Sequence, residues 1–232
     1  HRREEEARPD PLPGQDLAPP RDQSGGQGGR DGVRARWKAG AQAHLVRLAE
    51  RGYHMAGLDL SRRNVEYLGE RLAARSLTAD LVVGDMTDFY LARPVDAAIC
   101  MQDSQGHLLT NAQLLDHLRS VAGNLRRGGV YVFDRYMASS WTNPARSWSW
   151  SRRRGGLIVR ASFSALNDVD PVSQVFKERM TLEAVDNGTR RIYRQTHLSR
   201  MVFPQELRGL VELAGGLEIV QWFFGFKPDQ IL

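Results

Sequence analysis

The sequence predicts an α/β fold: a doubly wound parallel sheet with a three-stranded antiparallel insertion after its fifth strand. Three observations carry that expectation. Short apolar runs at about 54–59, 80–84, 95–101 and 129–134 alternate with helical patterns, the grammar that gives parallel strands joined by crossovers. Three of the runs end in polar signatures, GLDLS (57–61), VVGDM (82–86) and AICMQDSQGH (98–107). In an open parallel sheet the ligand sits outside the carboxyl ends of the strands, so polar residues placed there in succession mark one binding crevice. After Asp134, finally, the pattern changes to strand, turn, strand.

Each element has a local reason. A helix over 41–51 puts Leu45, Leu48 and Ala49 on one face, and Gly52 stops it. A helix over 62–75 starts after the capping residue Ser61 and turns Val65, Leu68 and Leu72 inward. Over 111–126 a capping box of Thr110 and Gln113 precedes an apolar stripe of Leu114, Leu115, Leu118, Val121, Ala122 and Leu125. That helix ends in glycines, and the run GGVYVFD (128–134) follows it. Strand-like runs at about 156–166, 173–185 and 190–203 are separated by Asn167-Asp168 with Asp170-Pro171, and by Asp186-Asn187-Gly188. Such turns join antiparallel neighbours, so 156–203 is expected to form a meander serving as lid or wall of the crevice. Pro204 then opens a helix that buries Leu207, Leu210 and Val211 and ends at Gly215-Gly216, before a further strand over 217–226.

Residues 1–31 are rich in Pro and Gly and poor in large apolar side chains. They are expected to be disordered, leaving 32–232 as the domain. The first and last strands of the sheet are poorly supplied. Arg34 and Arg36 interrupt GVRARWKAG (32–40), where a central parallel strand is ordinarily a continuous apolar run. Unpaired edges and modest stability are expected.

Composition narrows the function. The single cysteine, Cys100, lies in an apolar run and has no internal partner, which fits a reducing, cytoplasmic setting. No run of about eighteen apolar residues predicts a membrane span, and the charged start does not read as a secretory leader. The net charge of +5 is spread along the chain: the first forty residues carry eight basic against seven acidic groups. The densest basic run, Arg152-Arg153-Arg154 near Trp148 and Trp150, fits a solvated loop leading into a strand better than a phosphate-binding patch, so a nucleic-acid partner is not expected.

The order LDLS, GDMTDF (84–89), DAAICM (96–101) with Gly106-His107, LRRGG (125–129) and YVFD (131–134) resembles the class I S-adenosylmethionine-dependent methyltransferases, in particular the group acting on small molecules. The likeness covers about residues 41–226. It implies a Rossmann-like sheet, S-adenosylmethionine as cofactor, no metal, and transfer of a methyl group to a nitrogen or oxygen of a small-molecule acceptor. The family's glycine-rich first turn is reduced here to Gly40. A methyltransferase-like protein that has lost tight cofactor binding is therefore the alternative.

Residue by residue, the resemblance implies a cofactor site of Gly40, Asp59, Leu60, Asp85, Met86 and Met101. Asp59 closes the second strand, where an acid can accept both ribose hydroxyls. Asp85 matches the residue that receives the adenine amino group. His107, six residues past strand four, is the candidate base, with a resting pKa suited to neutral pH. Gln102, Asp103 and Ser104 line the same mouth, and Arg135 and Tyr136, past strand five, are candidates for contact with the acceptor. Oligomeric state has no signature in the sequence.

Overall fold

The computed structural model describes residues 40–135 and 147–224. In chain order the elements are α1 (Gly40–Ala49), β1 (Ala56–Asp59), α2 (Arg62–Ala73), β2 (Asp80–Val83), β3 (Val95–Cys100), a short 3-10 helix (Ser104–His107), α3 (Asn111–Asn124), β4 (Leu125–Phe133), β5 (Ser147–Arg154), β6 (Leu157–Ala165), β7 (Val175–Asp186), β8 (Thr189–Arg200) and α4 (Pro204–Ala214). The segments expected at 1–31 and 32–39 lie outside the described residues.

The parallel strands appear where the apolar runs predict them, but they do not make one continuous sheet. β1 pairs with β2 from Ala56–Asp80 to Asp59–Val83, and β3 pairs with β4 from Ala97–Val130 to Cys100–Phe133. Among the described residues these are two separate ladders. Two apolar clusters accompany them. Leu45, Val46 and Ala49 of α1 pack with Leu68 and Leu72 of α2 over β1–β2. Leu114 and Leu118 of α3 pack with Val202 and with Leu207, Leu210 and Val211 of α4, backed by Tyr131 and Phe133 of β4. The opposite face of β3–β4 is open: Ile99 is 46% exposed, Val130 50% and Val132 49%. A parallel strand is normally covered on both faces, so this exposure is unusual for β3–β4.

Gly57 explains the tight seat of α1 on β1, since a β-carbon there would lie 2.8 Å from Leu45 Cδ1. Ser61 caps α2 by accepting from Asn64 N, and the predicted capping box of α3 is formed by Thr110 and Gln113. Pro204 occupies the first turn of α4, Glu206 reaches back to Phe203 N, and Gly215 and Gly216 end the helix at positive φ.

Three expectations need correction. The antiparallel insertion has four strands, in the order β5-β6-β7-β8, because Ser147–Arg154 is a strand and not a loop. Its pairing with β6 and the stacking of Trp148 on Phe163, 4.4 Å between ring centroids and nearly parallel, hold the arginine run extended. Second, α3 stops at Asn124, where Leu125 already has extended backbone. Residues 125–129 belong to β4, with an irregular register, and do not end the helix. Third, residues 217–222 are not a strand. Leu217, Ile219 and Trp222 instead pack their side chains on the core of α3 and α4.

Candidate active site

The candidate site residues follow β1, β2, β3 and β4. Asp59, at the end of β1, is half-buried and already engaged. Its Oδ1 accepts from Ser61 N at 2.8 Å and from Asn64 Nδ2 at 3.1 Å, and its Oδ2 accepts from the same Asn64 nitrogen at 3.0 Å. A carboxylate offers about four acceptor positions, so roughly one remains for an incoming hydroxyl. Leu60, beside it, is 71% exposed and gives the crevice an apolar surface.

Asp85 follows β2 in a tight turn, where Oδ1 accepts from Thr87 N and Thr87 Oγ1 at 2.9 and 2.8 Å. That engagement leaves Oδ2 for an external donor. Met86 turns its side chain to the core cluster, and its carbonyl accepts from His117 Nδ1 at 2.8 Å.

The mouth after β3 is conformationally costly. Gln102 and Asp103 are consecutive residues with φ of 62° and 50°, a left-handed pair that non-glycine residues rarely adopt. The fold holds them there from several sides. Asp103 N donates to Asp134 Oδ1 at the end of β4, Ser104 Oγ donates to Met101 O, and Gly106 N donates to Asp103 O. The Asp103 carboxylate lies so close over Gly106 that a β-carbon there would sit 3.1 Å from Oδ2. A side chain at Gly106 would require the Asp103 carboxylate to shift by a few tenths of an ångström. Met101 is half-buried at the strand end.

Beneath this mouth runs a buried polar chain that sequence reasoning missed. His117 Nδ1–H donates to the Met86 carbonyl, so its Nε2 accepts the Tyr131 hydroxyl proton at 2.7 Å. Tyr131 Oη in turn accepts from Gln105 Nε2 at 2.8 Å. Burial pushes the His117 pKa down and the Tyr131 phenol well above its ordinary range, consistent with a neutral, fully bonded network. Burial also raises the Cys100 thiol, keeping it protonated beside Tyr131. The one sequence signal was His117 lying on the apolar stripe of α3, where a histidine must find partners.

Arg135 closes the wall. Its guanidinium donates to Gln105 Oε1 at 3.4 Å and to Arg200 O at 3.2 Å, tying β4 to the 3-10 helix and to β8, and burial lowers its pKa. Tyr136 lies outside the described residues, and Gly40 is described only as the first residue of α1. Arg200, 6% exposed, pairs with Glu206 at 2.7 Å and also donates to Asn111 Oδ1, joining the lid sheet to the starts of α3 and α4.

His107 is exposed, and the antiparallel sheet reaches it. β8 packs against the 3-10 helix, bringing the His197 ring to 5.1 Å from that of His107, tilted by 59°. His197 Nε2 donates to Glu178 Oε2 across the β7–β8 ladder at 3.1 Å. The structure thus brings His107, which follows β3, against a residue of the antiparallel sheet.

Residues 39–129 match the family model described as a methyltransferase domain. A dTDP-3-amino-3,4,6-trideoxy-alpha-D-glucopyranose N,N-dimethyltransferase of Streptomyces venezuelae is 33% identical over 130 residues, which are 54% of this chain and 52% of that protein. The chain therefore spans about half the length of this curated relative. Among solved structures, SAM-bound CalS10, an amino pentose methyltransferase from Micromonospora echinaspora, superimposes with a TM-score of 0.65 at 22% identity, over 82% of this chain and 76% of that one. Streptomyces venezuelae DesVI superimposes with a TM-score of 0.60 at 26% identity, over 69% and 65%. Residues 39–129 thus carry the likeness to a methyltransferase domain, and the fold is similar to the Rossmann-like one of these S-adenosylmethionine-dependent methyltransferases. In sequence and shape the chain is similar to enzymes that methylate nitrogen on sugars.

Proposed function

We propose that this chain transfers a methyl group from S-adenosylmethionine to a nitrogen or oxygen of a small molecule, with the amino group of an amino sugar as the preferred acceptor. The observation that carries the proposal is the succession of Asp59, Asp85 and the Met101–His107 mouth at the carboxyl ends of three consecutive parallel strands, within the stretch that matches the methyltransferase family. The amino-sugar preference is taken from the 33% identical relative.

The adenosine side fits the residues present. Asp59 retains about one acceptor position for a ribose hydroxyl, Leu60 offers an apolar surface to a purine, and Asp85 Oδ2 faces no donor of its own. The bound cofactor supplies an electrophilic methyl: the lone pair of the acceptor forms the new bond as the carbon–sulfur bond breaks and its electrons stay on sulfur. The chain's own part is to hold and orient. Near-attack positioning alone is worth up to about 7–11 kcal/mol, and the braced Gln102–Asp103 turn is the rigid element that sets the acceptor's approach. His107 is the proposed proton acceptor, needed when the nucleophile carries a proton that must leave.

A second reading, a methyltransferase-like protein with impaired cofactor binding, is supported by the partly occupied Asp59 carboxylate and by the division of the parallel strands into two ladders. One experiment separates the two. Calorimetry of the full chain with S-adenosylhomocysteine, paired with methyl-label transfer to a panel of amino-sugar nucleotides and to RNA, is expected to show binding that weakens about tenfold or more in Asp59→Ala, and label on the small amines. No binding supports the impaired reading. Label on RNA alone overturns the small-molecule assignment.

A further inference from the structure

The lid sheet carries a carboxylate–imidazole pair for which the proposed reaction has so far had no use. Glu178 lies on β7 and His197 directly opposite on β8, in the same rung of the ladder. Both side chains are largely shielded, at 14% and 22% exposure, although residues 189–196 of β8 are open to solvent. A surface pair of this kind would be worth little. This pair does not point outward: its imidazole packs against His107, the residue at the mouth of the crevice.

The hydrogen bond sets the chemistry of the ring. An ionised carboxylate only accepts, so Nε2 of His197 must be the protonated nitrogen, and in the neutral ring Nδ1 is left as the acceptor. The carboxylate thus fixes both the tautomer and the orientation of His197, as the buried acid does in other carboxylate–histidine pairs. His107, by contrast, stands on a four-residue 3-10 helix whose start is two residues of left-handed backbone.

We propose that Glu178 and His197 position His107: the antiparallel sheet is not only a wall but supplies the second half of the proton-accepting group, so that a carboxylate, an imidazole and a second imidazole run from the sheet to the acceptor's nitrogen. This deepens the methyl-transfer reading and rests on it for its role in turnover. The proton lost by the acceptor's N–H or O–H goes to the exposed His107 ring and from there to solvent. His197 and Glu178 hold that ring in line and exchange no electrons. The arrangement favours an acceptor that arrives with a proton to lose, an amine or a hydroxyl, over one that is already fully substituted. His197 and Glu178 are positioning residues, since neither touches the acceptor.

Two measurements on the full chain test this. Long-range nitrogen–proton spectra of histidine-labelled protein are expected to show His197 as a single tautomer protonated at Nε2. Glu178→Ala should convert it to a mixture and also shift the His107 ring signals, whereas Glu178→Asp should keep one tautomer. Unchanged His107 signals in Glu178→Ala overturn the inference, whether or not the protein is active. In turnover with an amine acceptor, His197→Ala is expected to lower kcat by about ten- to a hundredfold, with binding of S-adenosylhomocysteine unchanged. Made on top of His107→Ala, it should cost nothing more, because residues acting as a unit are not additive. Losses that multiply, or a wild-type kcat in His197→Ala, overturn it. Absence of transfer by the wild-type chain to any acceptor instead refutes the methyl-transfer reading, and the tautomer measurement still decides the positioning.

Discussion

Tyr131 shows what a single hydroxyl does in this molecule. Its oxygen accepts from Gln105, its proton goes to His117, and His117 passes the connection on to the carbonyl of Met86, so one side chain couples the floor of the acceptor mouth to the turn that carries Asp85. Tyr131→Phe leaves two buried nitrogen atoms without partners and is expected to cost about 1–3 kcal/mol, read as a lower midpoint in urea. A variant as stable as the wild type would show that the three groups are not coupled. The same network gives a pH dependence whose sign follows from burial. His117 has a folded pKa below its ordinary 6.5, so the unfolded chain binds a proton that the folded chain refuses. The contribution is fully present above pH 6.5 and is lost as pH falls through the folded value. Denaturant midpoints of the wild type should therefore drop as pH is lowered from 7.5 to 5, and His117→Gln should flatten that drop.

Among the elements, the β7–β8 hairpin has the clearest link from local sequence to the site. Asn187 and Gly188, with φ of 46° and 86°, form the two-residue turn that suits the twist of paired strands. Such a turn fixes the register: Glu178 lies nine residues before Asn187 and His197 nine after Gly188, so the two must face one another. Gly188→Ala forces a β-carbon into the left-handed region and is expected to destabilise the hairpin by about 1 kcal/mol. Hydrogen exchange should speed up around residues 186–190, with the protection of α3 unaltered. Faster exchange in α3 as well would mean that sheet and helix open as one unit.

At the scale of the whole molecule, the division of the parallel strands governs behaviour. α1 and α2 cover β1–β2, and α3 and α4 cover β3–β4, each with its own apolar cluster, while Ile99, Val130 and Val132 stand about half exposed on the uncovered face of β3–β4. An exposed apolar face invites association. Replacing Val130 and Val132 by Thr keeps the β-branched shape and is expected to change stability by no more than about 0.5 kcal/mol, while light scattering at high protein concentration decreases. A large loss of thermal stability in that variant would mean that the face is covered in solution.

Much of this organisation was legible in the amino-acid order because its causes are local. Apolar runs of four to six residues between helical stripes placed β1 to β3, and Pro204 and the Thr110–Gln113 box placed helix starts. Asn187-Gly188 placed a hairpin, and the polar strand ends singled out Asp59, Asp85 and His107. Local pattern could not settle matters that depend on what arrives from far along the chain. Ser147–Arg154 reads as a loop until β6 pairs with it, and the hydrogen bond of Arg135 to the Arg200 carbonyl, 65 residues later, has no local signature. Nor does the folding back of Asn64 onto both oxygens of Asp59. The meeting of His107 with His197 needed the antiparallel sheet to pack on the 3-10 helix. Side-chain periodicity and turn chemistry act within a few residues and can be read directly, whereas hydrogen-bond competition and burial are set by partners that only the folded chain brings together.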